Sequence, residues 1–361
     1  MRHFLATLLV WLAVSQGSAA QQATDPVDQQ PVSSIEAHAL YKRALAALPD
    51  RDELQHLLDL ATGIDENFAA AYALKAEHYA ISIAAAVARS DDPRRPAELA
   101  RLAIDNANKA LGLDSASTAA YLALGLTHRQ YWRWEQALVA YAQAYRLDPG
   151  DAGVLFNYGW LSSFSRQHEQ AIDIAQRAVE LFPDSPNAHR DLGIAQVYAG
   201  NAAAGVEGFR GCIARNENIG VCHIYLGMTQ IQLGDEDQAV AALREAERLF
   251  GDSPSAAAMS SLAHAYSRTG RKQDAERLFE ALQLTAETAV VGAGTWPLAY
   301  LAVDDIDNAY SWLERAVEKI EAGQPDEGFF NLMIIKANVQ ANPVLDEARF
   351  VALRDRIGAS L

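Results

Sequence analysis

Residues 118–151 read TAAYLALGLTHRQYWRWEQALVAYAQAYRLDPGD, and the pattern they set returns along the chain at a fixed interval. Gly125 recurs as Gly159, Gly193 and Gly227, with the same spacing each time. Twelve residues after each glycine stands another small residue: Ala137, Ala171, Gly205 and Ala239. A fixed period of this length predicts stacked helical hairpins, because each unit is one supersecondary element that cannot bury its apolar face alone.

Aligning the chain on the period extends the pattern outward. The small residue of the first helix continues to Ala263. That of the second helix runs from Ala103 through Ala275 to Ala309. A third small position gives Ala110, Ala144, Ala178, Cys212, Ala246 and Ala316. Antiparallel helices approach closely only where side chains are small, so these positions are expected contact points. Glycine inside a helix costs up to about 1 kcal/mol against alanine, and its recurrence therefore needs a packing reason. Between the small residues stand large apolar ones at helical spacing, among them Tyr141, Leu155, Tyr158, Leu192, Phe209, Leu243 and Leu262. Pro149 and Pro183 fall where a second helix must stop, and YAGN, QLGD and RTGR supply turns. No alternating β-pattern is present.

These glycines, alanines, aromatics and prolines resemble the tetratricopeptide repeat family. The resemblance implies an all-α fold, a right-handed solenoid of antiparallel helix pairs. It is closest over residues 118–323, expected as the regular array. The tryptophan usual in the family's first helix is replaced by Tyr121, Leu155, His189, His223 and Met259. Residues 34–117 are expected to form degenerate opening units with a longer helix pair, since ISIAAAVARSDDPRRP lies between their small positions. Residues 324–361 are expected to be capping helices, over Gly328–Val339 and Pro343–Gly358. A narrower likeness is carried by LATGIDENFAAAYA, YWRWEQA, TGRKQDAERLF and ANPVLDEARFVALRDRIG. These segments resemble the C-terminal repeat region of CadC-type membrane transcription regulators and class III adenylyl cyclases, which implies a sensing or binding role.

The first 20 residues are expected to be a cleaved signal peptide. Arg2 and His3 precede an apolar run from Phe4 to Val14, and Ser18-Ala19-Ala20 offers a cleavage site before Gln21. The run is too short for the roughly 20 residues that span a bilayer. No cysteine stands near the cleavage point to favour a lipid anchor. The mature chain is therefore expected to be periplasmic or secreted, without direct membrane insertion. Residues 21–33 are polar and proline-containing and are expected to form a flexible lead-in. The chain has 361 residues and a net charge of −16. That charge repels phosphates and argues against nucleic acid as a partner.

The resemblance also implies a concave face lined by the first helices. Carried onto this chain, its groove positions fall on Leu122, Leu126 and Arg129, then Phe156, Trp160 and Phe164. They continue on Arg190, Ile194 and Tyr198, then Ile224 and Met228, then His264 and Arg268. Arg129, Phe156, Trp160, Phe164, Arg190 and Tyr198 are the expected partner-binding residues, because aromatics with arginine make the anchors of interfaces. The lysine/asparagine carboxylate clamp of chaperone-binding members is not reproduced; Asn157 and Arg190 echo it in part.

Cys212 and Cys222 are the only cysteines. They stand near the end of one helix and the start of the next, and a disulfide between them is open, as is a pair of small buried thiols. His189 and His223 lie one period apart with only Cys222 near, which is too few ligands for a metal. Asp235-Glu236-Asp237 and Asp304-Asp305 precede helices and read as caps. With no phosphate loop, nucleophile elbow or zinc-hydrolase motif, neither enzymatic activity nor a cofactor or metal is expected. The reading is a scaffold that binds a protein or peptide. The rivals are a detached sensory module and, less well supported, an enzyme with its site on the N-terminal insertion or C-terminal cap.

Overall fold

The computed structural model describes residues 32–47, 50–89, 94–165, 167–251, 254–322, 324 and 347–356. The chain divides into two compact units, Met1–Tyr158 and Gly159–Leu361. Among the described residues every regular element is helical. The fold is an all-α solenoid of helix pairs.

The N-terminal unit holds α1 (Val32–Ala46), α2 (Arg51–Ile64), α3 (Ala69–Arg89), α4 (Arg95–Leu113), α5 (Thr118–Gln130), α6 (Trp134–Leu147) and the start of α7 (Ala152–Phe164). Helices α1 and α2, α3 and α4, and α5 and α6 pack as pairs. The insertion is helical in its first part: it lengthens α3 to 21 residues and is answered by the 19 residues of α4. The expected signal segment lies outside the described residues. The expected lead-in to residue 33 is overlapped by α1, which starts at Val32. Ala37, Leu54, Leu57, Leu58, Phe68 and Leu74 form the opening core, and alanines of α3, α4 and α5 let those helices close on one another.

The C-terminal unit holds the rest of α7, then α8 (His168–Leu181), α9 (Pro186–Tyr198), α10 (Ala202–Arg215), α11 (Gly220–Leu233), α12 (Glu236–Phe250), α13 (Ala256–Arg268) and α14 (Lys272–Ala286). A 3-10 turn at Ala293–Thr295 leads into the short α15 (Trp296–Ala302), followed by α16 (Ile306–Glu321) and α17 (Glu347–Arg356). The unit boundary at residue 158 falls inside the regular array, whereas the repeat pattern divides the chain at residue 117. Of the two expected capping helices, 328–339 lies outside the described residues. The other corresponds to α17, which docks on α16. There Arg356 binds Glu321, Arg349 binds Glu314, and the Arg349 guanidinium lies 4.1 Å over the Tyr310 ring.

Local signals set these elements. Ser117, Ser185 and Ser255 each accept a hydrogen bond from the amide three residues on, capping α5, α9 and α13. Asp235 and Asp305 cap α12 and α16 in the same way. The small positions are contacts. A Cβ on Gly125 would lie 2.3 Å from Cε1 of Tyr141, one on Gly193 2.7 Å from Cε1 of Phe209, and one on Gly227 2.8 Å from Cγ of Leu243. Turns after first helices use left-handed glycines, Gly200, Gly234 and Gly270. In the α5–α6 turn that conformation belongs to Trp132, at φ 58°.

Candidate functional site

The candidate residues divide between the units. Arg129 on α5 and Phe156 on α7 belong to the N-terminal unit. Arg129 is half-buried, and that burial weakens its hold on a proton while neighbouring Tyr141 strengthens it. Tyr141 is fully buried, which pushes its hydroxyl up to about 12. Phe156 is buried. Asn157, one of the two echoes of the clamp, donates its side-chain amide to the Gly153 carbonyl at 2.7 Å and so serves its own helix.

Trp160, Phe164 and Tyr198 come together in the C-terminal unit, which also holds Arg190. Trp160 meets Phe164 edge to face with centroids 4.6 Å apart, and Phe164 meets Tyr198 edge to face at 4.7 Å. Such edge-to-face pairs add about 0.5–1.5 kcal/mol beyond the area they bury. Phe164 is fully buried, while Trp160 and Tyr198 are half-buried and form the accessible part of the row. Tyr225 on α11 lies within electrostatic reach of the Tyr198 hydroxyl. Its ring stacks on Phe209 at 5.2 Å, and its hydroxyl feels both Arg190 and Asp191. Burial raises the Tyr198 and Tyr225 hydroxyls well above the usual phenol range, so both stay neutral hydrogen-bonding groups.

Arg190 is already engaged. Its Nε donates to Asp191 Oδ1 at 2.8 Å, a terminal nitrogen lies 2.7 Å from the same oxygen, and the other donates to Asn187 Oδ1 at 2.9 Å. Asp191 is 3% exposed, and its second carboxylate oxygen is buried without a hydrogen bond. Burial raises the Asp191 carboxyl, and the adjacent guanidinium pulls it back. The pair makes a fixed polar group on α9, the helix that also carries Tyr198. A ligand carboxylate would compete with Asp191 and Asn187 for Arg190.

The expected groove row is more closed than its sequence suggests. Leu122, Leu126, Ile194, Ile224 and His264 are all buried, and Met228 and Arg268 are half-buried. Both ring nitrogens of His264 are buried without a hydrogen bond, and burial, aided by Arg268, lowers its pKa to about 4. Asp191 and Tyr225 were not among the expected residues. Each stands one position after an expected one, Arg190 or Ile224.

Cys212 on α10 and Cys222 on α11 are fully buried and disulfide-bonded, tying consecutive hairpins across a sequence separation of 10. With Cys222 so engaged, it is no ligand partner for His189, whose Nε2 lies 3.0 Å from the Pro183 carbonyl oxygen. No group of three or more His, Cys, Asp or Glu side chains is set to hold a metal ion among the described residues. No described helix is long and apolar enough to cross a membrane.

Comparison with known proteins supports the fold. Residues 154–185 and 224–252 each match a family model described as tetratricopeptide repeat. Among solved structures, the chain is similar to a tetratricopeptide repeat protein from Parabacteroides merdae. That match has 14% identity and a TM-score of 0.53, covering 76% of this chain and 100% of that one. It is also similar to pilF of Pseudomonas aeruginosa, at 17% identity and a TM-score of 0.49, covering 62% of this chain and 96% of that one. No curated protein sequence matches it.

Proposed function

We propose that this chain is an exported scaffold that binds a protein or peptide partner through the ring surface of its C-terminal unit. The observation that carries the reading is the continuous contact of Trp160, Phe164 and Tyr198, the last of them on the helix that also fixes Arg190 against Asp191 and Asn187. Rings held by rings present a rigid apolar surface at little cost in side-chain entropy, the property that makes aromatic residues binding anchors. Because Arg190 is paired, the favoured partner is a segment with apolar or aromatic anchors. The tetratricopeptide repeats matched over residues 154–185 and 224–252 support a binding role.

Peptides selected from a random display library on the mature chain test this reading. Trp160→Ala is expected to weaken the selected peptides by at least about 30-fold, the loss that corresponds to an anchor of about 2 kcal/mol, with helical content kept. Unchanged affinity in a folded Trp160→Ala protein would move the binding surface elsewhere. Arg190 is a poor target for truncation, since its removal strands the buried Asp191 carboxylate. Export is tested by sequencing the N-terminus of protein made in its own host. Gln21 is expected first, and a retained Met1 refutes the cleavage.

A further inference from the structure

The N-terminal unit contains a recess of about 150 Å³ between α1, α3 and the α4–α5 turn. Tyr41 and Ala73 line its apolar side, Asp114, Ser117 and Thr118 line the turn side, and Glu77 of α3 lies in its wall. A single water takes about 30 Å³ in the liquid, so the space admits a small organic group.

Glu77 gives the recess its chemistry. It is 4% exposed, and its Oε1 is buried without a hydrogen bond. Leaving a buried carboxyl oxygen unpaired is costly, because nothing replaces the water it gave up. Burial first, and then the carboxylate of Asp151 at the start of α7, push the Glu77 carboxyl up to about 8. Asp151 is itself 5% exposed. The Tyr41 hydroxyl, which feels Glu77, is held up to about 12 mainly by burial. The acidic groups around Glu77 thus come from three sides: Asp151, Tyr41 of α1, and Asp114 of the turn. None of the lining residues is cationic. The nearby lysines are engaged elsewhere, Lys75 with Asp59 at 2.5 Å and Lys109 over the Tyr72 ring. A positive charge entering the recess would meet an unpaired carboxyl, a second carboxylate within electrostatic reach, hydroxyls at the turn and an aromatic ring.

We propose that this recess is a binding site for a primary ammonium group on an alkyl stem, with the ammonium against Glu77 and the stem along Tyr41 and Ala73. The two sources of that chemistry are a free alkylamine and the lysine side chain of a partner chain. A divalent metal is the weaker fit, because no three-ligand group is assembled among the described residues. The site is separate from the ring surface of the C-terminal unit and stands or falls apart from it.

Calorimetric titration of the full mature chain with n-butylammonium chloride at matched ionic strength tests the site. Saturable one-to-one binding is expected, with none for n-butanol. Glu77→Gln is expected to weaken binding at least tenfold. Glu36→Gln, which removes one exposed carboxylate from α1, should bind as the parent does. Ala119→Leu fills the recess from its half-buried rim and should weaken binding as Glu77→Gln does, which keeps the test decisive if Glu77→Gln misfolds. N-acetyl-lysine methylamide separates the sources: affinity equal to or above that of butylammonium assigns the site to a lysine side chain, and lower affinity assigns it to a free amine. Absence of saturable butylammonium binding, or equal binding by the parent, Glu77→Gln and Ala119→Leu proteins, overturns the proposal.

Discussion

Gly208 of α10 and Gly193 of α9 face each other with no room for a side chain between them. A Cβ on Gly208 would lie 2.5 Å from the Gly193 Cα and 2.6 Å from its nitrogen. Here the obstacle is backbone, which cannot rotate away. At Gly159 the nearest atom to an added Cβ is a methyl carbon of Ile174 at 3.0 Å, which can give. Alanine also gains up to about 1 kcal/mol of helix propensity over glycine. Gly208→Ala is therefore expected to lose stability by about 1–3 kcal/mol net, the usual range for an overpacked contact, and Gly159→Ala to lie near neutral. Gly193→Ala, which meets the Phe209 ring at 2.7 Å, should fall between. Circular dichroism melts give the order, and equal melting temperatures for Gly208→Ala and Gly159→Ala would refute it.

The α5–α6 turn sets strain against burial in a single residue. Trp132 adopts φ 58°, a conformation that Gly200, Gly234 and Gly270 take in three other turns and that costs a bulky residue on the order of 1–3 kcal/mol. Its side chain is 4% exposed and meets Trp134 edge to face at 5.6 Å. Truncating a buried tryptophan costs about 3–5 kcal/mol. Trp132→Gly relieves the strain and loses the burial, so a net loss is expected, smaller than that of Trp134→Ala, which relieves nothing. Chemical denaturation of the two variants ranks them, and a Trp132→Gly protein more stable than the parent would show that strain dominates.

The repeat was legible because the packing that demands small residues recurs in register. Gly125, Gly193 and Gly227 are on the period and are closed contacts. Gly208 escapes such a reading, since the positions one period before and after it are Ile174 and Ala242. Its close approach belongs to one helix crossing and leaves no periodic trace. The ring cluster was partly legible for the same reason. Trp160 and Phe164 stand four residues apart on one helix, and Tyr198 stands one period after Phe164. Burial of Leu122, Leu126 and Ile194 was not legible, because it depends on how closely successive first helices approach. The same holds for the pairing of Arg190 with its sequence neighbour Asp191, since adjacent helical residues point about 100° apart and are not expected to face each other.

The Cys212–Cys222 bond closes a short loop between two helices, and its reduction is expected to cost about 2–3 kcal/mol. Both sulfurs are buried, so reductant should act mainly on the unfolded chain. Thiol alkylation after denaturation without reductant is expected to label no cysteine, and two labelled thiols in protein from an oxidising compartment would show the bond absent. The Cys212→Ala/Cys222→Ala protein should melt lower than the parent in non-reducing buffer and together with it in reducing buffer.

Glu77 makes a prediction about pH whose sign is set by its environment. In the folded chain its carboxyl is held up to about 8, against an ordinary value of 4.5. Between these two values the folded state keeps the proton and the unfolded state has released it. The unfolded state then binds fewer protons, so stability falls as pH rises through the window and levels off above it. Each tenfold change in proton affinity corresponds to about 1.4 kcal/mol, which makes the total several kcal/mol. Glu77→Gln removes this dependence and should leave the rest of the titration unchanged. The difference in melting temperature, variant minus parent, is therefore expected to grow from pH 5 to pH 9 in favour of the variant. The unpaired glutamine amide sets a pH-independent penalty, which is why the change with pH is the readout and not either melting point alone. A difference that stays constant over that range would mean that Glu77 is ionised in the folded chain at neutral pH, and so already has a counter-charge or water to receive it.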